Sequence, residues 1–350
     1  MASNARPVEE KPWHSHLTID LLVTVAQYTF LHPFVAWMIP LSLRAQLTPY
    51  THTSFRLSVV YAASLTVFYF LSLLSQRIAH GAPRKVIHSE EVIVITGGAS
   101  GLGLLLAQIY GMQGATVAIL DVKRPREGEI KGVTWYECNV GDKSQVASAA
   151  QRISEDLGTP TILINNAGIV NGKSFLELTT RDIERNFHVN LLSHFHTIQT
   201  FLPGMLEEGR GTIVTVASVL GYLGSAYLSD YTSAKAGLIA MHTSLEAELQ
   251  QSTNSAAKQI QMILCTPGQL NTALFAGLKT PSAFLAPLVE PVDIAKAISK
   301  MIDSGDGGHI ALPFYAGWIQ WLNVLPAGLQ KIIRSLSGVD SAMAHLEKKK

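Results

Sequence analysis

A serine, a tyrosine and a lysine stand at spacings that could assemble a proton-transfer site. Ser218 precedes Tyr231 by thirteen residues and Lys235 follows it by four, in the run A-S-V-L-G-Y-L-G-S-A-Y-L-S-D-Y-T-S-A-K. If this segment is helical, Lys235 lies one turn beyond Tyr231 on the same face, where its ammonium stabilises a phenolate. We therefore expect Tyr231 to be a general acid/base with a lowered pKa. Ser218 would share the charge that develops on a substrate oxygen.

A glycine-rich loop lies upstream of this set. The β-branched run from Glu91 to Thr96 predicts a buried strand, T-G-G-A-S-G-L-G follows at residues 96–103, and Leu104 to Gln113 has helical character. A strand, a glycine turn and a helix N-terminus together can hold the pyrophosphate of a dinucleotide. The candidate cofactor contacts in the loop are Gly97, Ser100, Gly101, Leu102 and Gly103.

An acidic residue follows the second predicted strand and bears on the choice of cofactor. That strand runs from Ala115 to Leu120 and ends at Asp121. A carboxylate at this place accepts hydrogen bonds from both ribose hydroxyls and repels a 2′-phosphate, which favours NAD over NADP. Lys123 and Arg124 offset part of that repulsion, so NADP stays open.

The order of these motifs resembles that of the short-chain dehydrogenase/reductase family. The resemblance covers residues 90 to about 312, and its motifs are the glycine loop, Asn139-Val140, Asn165-Asn166-Ala167-Gly168, Asn190, the Ser218, Tyr231 and Lys235 set, and Pro267-Gly268 with Thr272. Many members carry Asp-Val where this chain has Asn139-Val140, although an asparagine can still hydrogen-bond adenine. The glycine spacing, G-x-x-x-G-x-G, also fits this family.

The resemblance implies roles for several of these residues. Asn190 would belong to a water-linked proton relay behind Lys235, and that lysine would also bind the nicotinamide ribose. Asn166, Ala167 and Gly168 would border the cofactor, and Thr272 would contact the nicotinamide carboxamide. Family members are usually dimers or tetramers, so a homo-oligomer is expected.

The alternation of strands and helices from residue 90 onward predicts the fold class. It is α/β, a doubly wound, mostly parallel sheet of about seven strands. The short, charged stretch from Val122 to Gly132 predicts a reduced helix between the second and third strands.

The N-terminal part of the chain is strongly apolar. Leu57 to Ser75 carries no charge over nineteen residues, which in a helix spans roughly 28 Å, enough for the core of a bilayer. Leu21 to Leu43 is also uncharged but contains Pro33 and Pro40, so it predicts a kinked span or a re-entrant element. A helix buried in the enzyme core is the alternative for Leu57 to Ser75.

Three domains are therefore expected: a membrane anchor and linker at 1–88, a catalytic domain at 89–312, and an aromatic tail at 313–350. Arg77, Arg84 and Lys85 follow the second apolar segment, and the positive-inside rule then places the catalytic domain in the cytosol. We expect the membrane to be that of the endoplasmic reticulum or a lipid droplet.

The C-terminal tail clusters aromatic residues between prolines. Tyr315, Trp318 and Trp321 lie in the stretch from Leu312 to Ile333, a composition that suits a segment at the level of the lipid headgroups. A tail packed on the enzyme core or at a dimer interface is the alternative.

The segment between Thr272 and Val292, where the family builds its substrate lid, is strongly apolar and contains Leu274, Phe275, Leu278, Phe284 and Leu285. An apolar lid on a membrane-anchored enzyme predicts a lipophilic alcohol, such as a retinoid, a steroid or a long-chain alcohol. The N-terminal anchor and aromatic tail are similar to the membrane-bound retinol and 17β-hydroxysteroid dehydrogenase branch. An NADPH-dependent ketone reductase in lipid or secondary-metabolite biosynthesis, or a non-catalytic membrane scaffold of the same fold, are the alternatives.

Other classes of function find little support. The net charge is +1 without a basic stripe, which argues against nucleic acid. No metal site is expected, because His194 and His196 are two residues apart on a predicted helix and face different directions. Cys138 and Cys265 fall in separate predicted strands and are expected in the core rather than in a disulfide.

Overall fold

The computed structural model describes residues 17–126, 128, 130–272, 274 and 282–339. These residues divide into two compact units, one containing residues up to Ser75 together with Ser282–Pro287, the other beginning at Gln76 and taking the rest.

The first unit is helical. It contains α1 (Ile19–Tyr28), α2 (Pro33–Ala45) and most of α3 (Thr53–His80). Pro33 occupies the first turn of α2, where its missing N–H costs no hydrogen bond, and α1 and α2 are bent by 53° at this break. The backbone N–H of Ile19 donates to the carbonyl of Phe284 at 3.0 Å, so part of the expected lid segment belongs to this unit.

Helix α3 contains the whole stretch from Leu57 to Ser75. It is 28 residues long, and only 11% of its most apolar window is buried. Among the described residues it alone is long and apolar enough to cross a membrane by length and composition, and the bent α1–α2 pair adds a second candidate if it counts as one span.

The second unit is built on a parallel sheet of seven strands in the order β3-β2-β1-β4-β5-β6-β7. This confirms the expected sheet. The strands are β1 (Val92–Thr96), β2 (Thr116–Asp121), β3 (Val133–Glu137), β4 (Ile162–Asn165), β5 (Gly211–Val216), β6 (Ile260–Cys265) and β7 (Gly308–Ile310). β1 lies between β2 and β4, so the strand order reverses there and opens a crevice beyond the carboxyl ends of these strands.

Helices connect the strands and cover the sheet. They are α4 (Gly101–Met112), α5 (Lys143–Leu157), α6 (Thr180–Phe187), α7 (Ser193–Glu207), α8 (Ser229–Gln251), α9 (Pro291–Asp303) and α10 (Ala327–Ser337). Two large clusters of buried apolar side chains form most of the core, with α4 and α9 contributing to one and α5 and α7 to the other, and two small clusters add to them. Between β2 and β3, the described residues contain no helix, so the expected reduced helix is not found in that part of the stretch.

A buried ion pair fastens the linker after α3 to the amino-terminal edge of the sheet. Arg84 donates through Nη1 and Nη2 to the two carboxylate oxygens of Glu91, at 2.8 and 3.1 Å. Its Nε donates to Thr212 Oγ1 at 2.8 Å, and the hydroxyl of Thr161 donates to the same carboxylate. The side chains of Arg84 and Glu91 are 4% and 0% exposed. Arg84 therefore does not present its charge to a membrane surface, in contrast to its expected place among the flanking cations.

Candidate active site

The glycine loop joins β1 to α4 in a conformation that only glycine adopts easily. Gly97 and Gly101 have φ angles of 66° and 57°, in the left-handed region. Gly103 has no room for a side chain, because a Cβ there would collide with the carbonyl oxygen of Gly97. The loop thus brings backbone N–H groups to the start of α4, where the positive end of the helix dipole favours an anion.

Asp121 ends β2 beside this loop. One of its carboxylate oxygens accepts the N–H of Ala99 at 3.1 Å, and the other accepts the N–H of Lys123 at 3.0 Å. These bonds fix the orientation of the carboxylate next to the glycine loop. The Asp121 carboxylate thus lies where the sequence predicts a ribose-binding carboxylate. Lys123 also lines the cavity.

The residues after β3 and β4 complete this side of the crevice. Asn139 Oδ1 accepts the N–H of Gly141 at 3.1 Å, a local turn that shapes the wall. Asn166 donates from Nδ2 to the carbonyls of Thr96 and Gly97, at 3.1 and 3.2 Å. Asn166 therefore ties the glycine loop to the end of β4, and its side chain supports the cradle.

Asn190 lies in a π-helical turn, His188–Leu192, between α6 and α7. Its Oδ1 accepts the N–H of Ile169 at 2.8 Å, and its Nδ2 donates to the Ile169 carbonyl and to Asn186 Oδ1, each at 2.8 Å. Such single π turns are frequent at functional sites. The side-chain amide is fully engaged in holding the loop after Gly168, so in this structure Asn190 positions the site and does not line the cavity.

Ser218, Tyr231 and Lys235 converge on one end of this crevice. Ser218 comes just after β5 and begins a short 3₁₀ turn, with its Oγ accepting the N–H of Leu220 at 3.2 Å. Tyr231 and Lys235 occupy the first two turns of α8. The three residues are between 3% and 5% exposed. Lys235 Nζ lies 5.7 Å from the centroid of the Tyr231 ring.

The charges of this set differ from the expectation. Burial raises the pKa of Tyr231 above its ordinary value, and a hydrogen bond with Ser218 lowers it only in part. Lys235 Nζ donates to the carbonyl of Val216 at 2.7 Å, and burial lowers the pKa of this lysine to about 8. The pKa of Tyr231 is therefore raised by burial in this structure, where the sequence predicts that Lys235 lowers it.

Two histidines, one on α7 and one on α8, are also buried, and no motif in the sequence singles out His242. His242 is on the same face of α8 as Lys235, two turns further on, and its Nδ1 is 3.0 Å from Thr215 Oγ1. Burial lowers the pKa of His242 to about 4. His194, on α7, is also buried, and burial together with the charge of Lys235 lowers its pKa well below the usual value. Within the described ranges, no group of residues could hold a metal ion.

A cavity of about 850 Å³ brings nearly all predicted site residues together. They are Gly97, Ser100, Gly101, Leu102, Asp121, Asn139, Val140, Asn166, Ala167, Gly168, Ser218, Tyr231, Lys235, Pro267, Gly268 and Thr272. Gly103 and Asn190 support this wall from behind. The glycine cradle at a helix N-terminus, with a carboxylate at the end of the neighbouring strand, fits a nicotinamide dinucleotide.

The same cavity contains residues that the sequence did not indicate. Arg185 and His188 line it from α6 and the π turn, and Ile169, Val189 and Leu270 add apolar surface. These side chains carry no motif, and the fold alone brings them to the site. Leu274 also lines the cavity, as expected of the lid, whereas Phe275 and Leu278 lie outside the described residues.

Both cysteines are free thiols in the core, as expected. Burial raises the pKa of Cys138 to about 11 and that of Cys265 to about 12, so neither is a reactive thiolate at neutral pH.

The family model for short chain dehydrogenases matches residues 91–282. The chain belongs to the short-chain dehydrogenase family. It is thus an NAD(P)-dependent oxidoreductase, in agreement with the fold and with the cradle described above.

Curated relatives at about 30% identity extend this assignment. An uncharacterised oxidoreductase of Saccharomyces cerevisiae, TDA5, is 31% identical over 258 residues, 72% of this chain and 77% of the relative. Short-chain dehydrogenase/reductase family 16C member 6 of Bos taurus is 33% identical over 245 residues, 67% of this chain and 76% of that protein. Epidermal retinol dehydrogenase 2 of Mus musculus is 30% identical over 285 residues, 77% of this chain and 89% of that protein.

Solved structures agree on the fold. A short-chain type dehydrogenase/reductase from Mycobacterium marinum superposes with a TM-score of 0.58 at 24% identity, covering 65% of this chain and 96% of that one. Ligand-free aldohexose dehydrogenase of Thermoplasma acidophilum gives a TM-score of 0.53 at 20% identity, covering 63% and 91%.

Proposed function

We propose that this chain is a membrane-bound oxidoreductase that transfers hydride between NAD and a lipophilic alcohol or its carbonyl product. The observation that carries the proposal is the convergence of Ser218, Tyr231 and Lys235, all buried, in the same cavity as the glycine cradle and Asp121. When bound there, NAD supplies the hydride acceptor.

The chain's own residues supply the rest of the chemistry. Ser218 donates a hydrogen bond to the substrate oxygen and so fixes the alcohol carbon for loss of hydride. Tyr231 takes the hydroxyl proton as the C–O bond becomes a carbonyl. The positive charge of Lys235 favours the phenolate form in which Tyr231 can act as a base, once Nζ turns from Val216 toward the ring. In the reverse reaction Tyr231 returns this proton to the carbonyl oxygen.

The preference for NAD rests on Asp121. Its carboxylate is fixed by two backbone N–H groups at the end of β2, where a 2′-phosphate would meet a negative charge. A second candidate is an NADPH-dependent ketone reductase, and the observation in its favour is Lys123, which lines the same cavity. A lysine there can pair with a 2′-phosphate.

The lipophilic substrate class is inferred from the cavity wall and the relatives. Ile169, Val189, Leu270 and Leu274 give the cavity an apolar side. Relatives at 30% identity carry the name retinol dehydrogenase. A retinoid, a steroid or a long-chain alcohol would fit such a wall. Helix α3 supports a membrane anchor, and we place the catalytic domain on the cytosolic side of the endoplasmic reticulum or a lipid droplet.

A cofactor and substrate panel tests this function. The full-length protein in detergent is assayed for nicotinamide absorbance with NAD and with NADP, against retinoid, steroid and long-chain alcohols. We expect NAD reduction with one lipophilic class, lost in Tyr231→Phe. The matched control is Tyr136→Phe, which removes a phenol that donates to Asp156 at 2.9 Å, away from the cavity.

Each alternative has its own result in this panel. Turnover only with NADPH and ketones would mean that the reductase is the right candidate. A Tyr231→Phe protein that binds NAD and keeps every measurable function would favour the non-catalytic scaffold.

A further inference from the structure

The C-terminal tail exposes a set of apolar side chains. Two short 3₁₀ turns, Phe314–Gly317 and Ile319–Val324, lead into α10. The surface, here called the tail surface, consists of exposed side chains that are 40% to 83% accessible: Trp318, Trp321, Val324, Leu329, Ile332, Ile333 and Leu336. The last four follow the spacing of one helix face. Soluble monomers rarely leave so continuous an apolar patch in water.

The charges around the tail surface have one sign. Residues 311–339 contain no aspartate or glutamate, and their two cations, Lys331 and Arg334, are both on α10. Tryptophans at an apolar edge together with cations on the same amphipathic helix match the headgroup region of an anionic bilayer. A protein partner would have to cover the same apolar side chains, and its own cations would find no acidic side chain in residues 311–339 to pair with.

The tail also holds the segment that connects Ser218 to Tyr231. Asn323 Nδ2 donates to the carbonyl of Tyr222 at 3.0 Å. Arg334 Nη2 donates to the carbonyl of Gly224 at 2.8 Å. Ser225 Oγ donates to the carbonyl of Val339 at 3.2 Å. Three hydrogen bonds from separate points of the tail thus fix residues 222–225, within ten residues of the proposed base.

The beginning of the tail also contacts the site. Gly268, which lines the cavity, is closely covered by Pro313 and Tyr315, because a Cβ at Gly268 would lie 2.7 Å from Pro313 Cδ and 2.8 Å from Tyr315 Oη. Ala316 and Leu322 are buried beneath the same turns. A force applied to the tail surface would therefore act on Gly268 in the cavity wall and on residues 222–225, which connect Ser218 to Tyr231.

We propose that the tail surface lies on an anionic phospholipid bilayer and that this docking orders residues 222–225 for catalysis. The proposal rests on the proposed function for its substrate and membrane setting. It adds a lipid contact outside the candidate spans and a regulatory role for that contact. Catalysis would be faster when the tail is docked than when α10 is free to move.

The docking itself is tested by tryptophan quenching in the full-length protein. The protein is placed in nanodiscs of phosphatidylcholine with phosphatidylserine, with and without brominated acyl chains. We expect brominated lipid to quench a component of the fluorescence that disappears in Trp318→Phe/Trp321→Phe. Equal quenching in the wild type and this double variant would overturn the proposal, as would tail residues that crosslink to a second copy at the expense of lipid contact.

A matched pair of apolar variants separates docking from surface hydrophobicity. Leu336→Ser is compared with Leu176→Ser, since both leucines are strongly exposed, at 83% and 95%. Only Leu336→Ser is expected to reduce the quenching of the tail tryptophans. The same reduction in Leu176→Ser would mean that the tail surface is not the lipid contact.

The coupling to catalysis is tested with two cation variants. Lys331→Gln and Arg334→Gln each remove one charge, and each should weaken docking by roughly fivefold, the equivalent of about 1 kcal/mol near an anionic surface. Arg334→Gln also removes the bond to Gly224, so its kcat should fall several-fold below that of Lys331→Gln. Equal kcat values in the two variants would contradict the coupling.

These measurements distinguish the two proposals. A wild-type protein that shows the lipid quenching but oxidises no alcohol would refute the proposed function and leave the lipid contact standing. Activity that does not change between phosphatidylcholine and phosphatidylserine nanodiscs would refute the regulatory role alone.

Discussion

A cation is buried at each end of the parallel sheet, but only one of the two cations has an ionic partner among the residues that the structure describes. At the amino-terminal edge, Arg84 is matched by Glu91 through two hydrogen bonds, and by Thr212 through a third. At the carboxyl-terminal edge, Lys235 is as deeply buried but donates to a neutral carbonyl, and the described part of the chain shows no ion pair for it. Removing one partner of a buried ion pair destabilises the fold, whereas a buried charge without an ionic partner is available for a ligand or a reaction.

The Lys235→Met substitution tests the buried cation at the carboxyl-terminal edge of the sheet, where the candidate site lies. Without the ammonium, Tyr231 keeps the raised pKa that burial gives it, so we expect kcat/KM to fall by roughly 10³-fold, within the usual range for lost acid–base assistance. The melting temperature should not fall, because the substitution removes an unpaired buried charge. Steady-state kinetics and calorimetry check both parts, and a large loss of stability would show that Lys235 is structural.

The Arg84→Met substitution tests the buried ion pair at the amino-terminal edge of the sheet. It leaves the buried Glu91 carboxylate with the hydroxyl of Thr161 and with Arg210 Nη1, at 3.7 Å, as its remaining partners. The free energy of unfolding should therefore fall by about 3 kcal/mol, the lower end of the range for breaking a buried ion pair. Adding Glu91→Leu should restore most of that loss. Urea unfolding measures the free energy, and NAD affinity of the folded variants serves as the control, since it should stay within twofold. A double variant no better than the single one would argue against the pairing as the cause.

A His242 variant tests whether the protein interior along α8, the helix of Lys235, tolerates a second positive charge. Its pKa of about 4 in the folded protein lies below the usual 6.5, so the unfolded chain binds more protons between these values. Stability therefore falls as the pH drops through this window, by about 2 kcal/mol from this group at pH 5. His242→Gln should show a shallower decline of the melting temperature from pH 7 to pH 5. An unchanged slope would mean that other groups account for the decline.

Asp121→Asn gives the smallest expected effect and concerns the carboxylate that lines the cavity at the end of β2. Removing its charge relieves the repulsion of a 2′-phosphate, with Lys123 close by. The ratio of kcat/KM for NAD to that for NADP should fall about tenfold, equivalent to roughly 1.4 kcal/mol. The melting temperature should change little. A ratio that does not move would remove the argument for NAD.

Local patterns predicted most of the sheet, and nearly all of the predicted site residues line one cavity. The strands predicted at Glu91–Thr96 and Ala115–Leu120 are β1 and β2, each within one residue of its expected bounds, and the glycine loop, Asp121 and the Ser218 set meet in one cavity. Helix α4 begins at Gly101, three residues before its expected start, because the glycines of the loop already form its first turn. Such features depend on residues that are close together in the sequence, so a sequence motif can reveal them.

The features that escaped prediction depend on residues far apart in the chain. The pairing of Arg84 with Thr212 and of Arg334 with Gly224 leaves no spacing signal. The raised pKa of Tyr231 follows from burial, and the direction in which Lys235 points is set by its bond to the Val216 carbonyl. Neither is visible in Tyr-x-x-x-Lys. The helical spacing of those two residues was sufficient to bring them together, but not to orient the ammonium.

The bond between Arg84 and Thr212 also has a consequence for the order of synthesis. The two residues are 128 positions apart, and Arg84 is translated shortly after α3. The linker can therefore not be fixed until the ribosome has made and released β5. During that interval, which at about 5–20 residues per second lasts several seconds or more, α3 and the growing domain are joined by a loose tether. On the proposed function, an early insertion of the apolar helices into a membrane would thus precede the bond between Arg84 and Thr212.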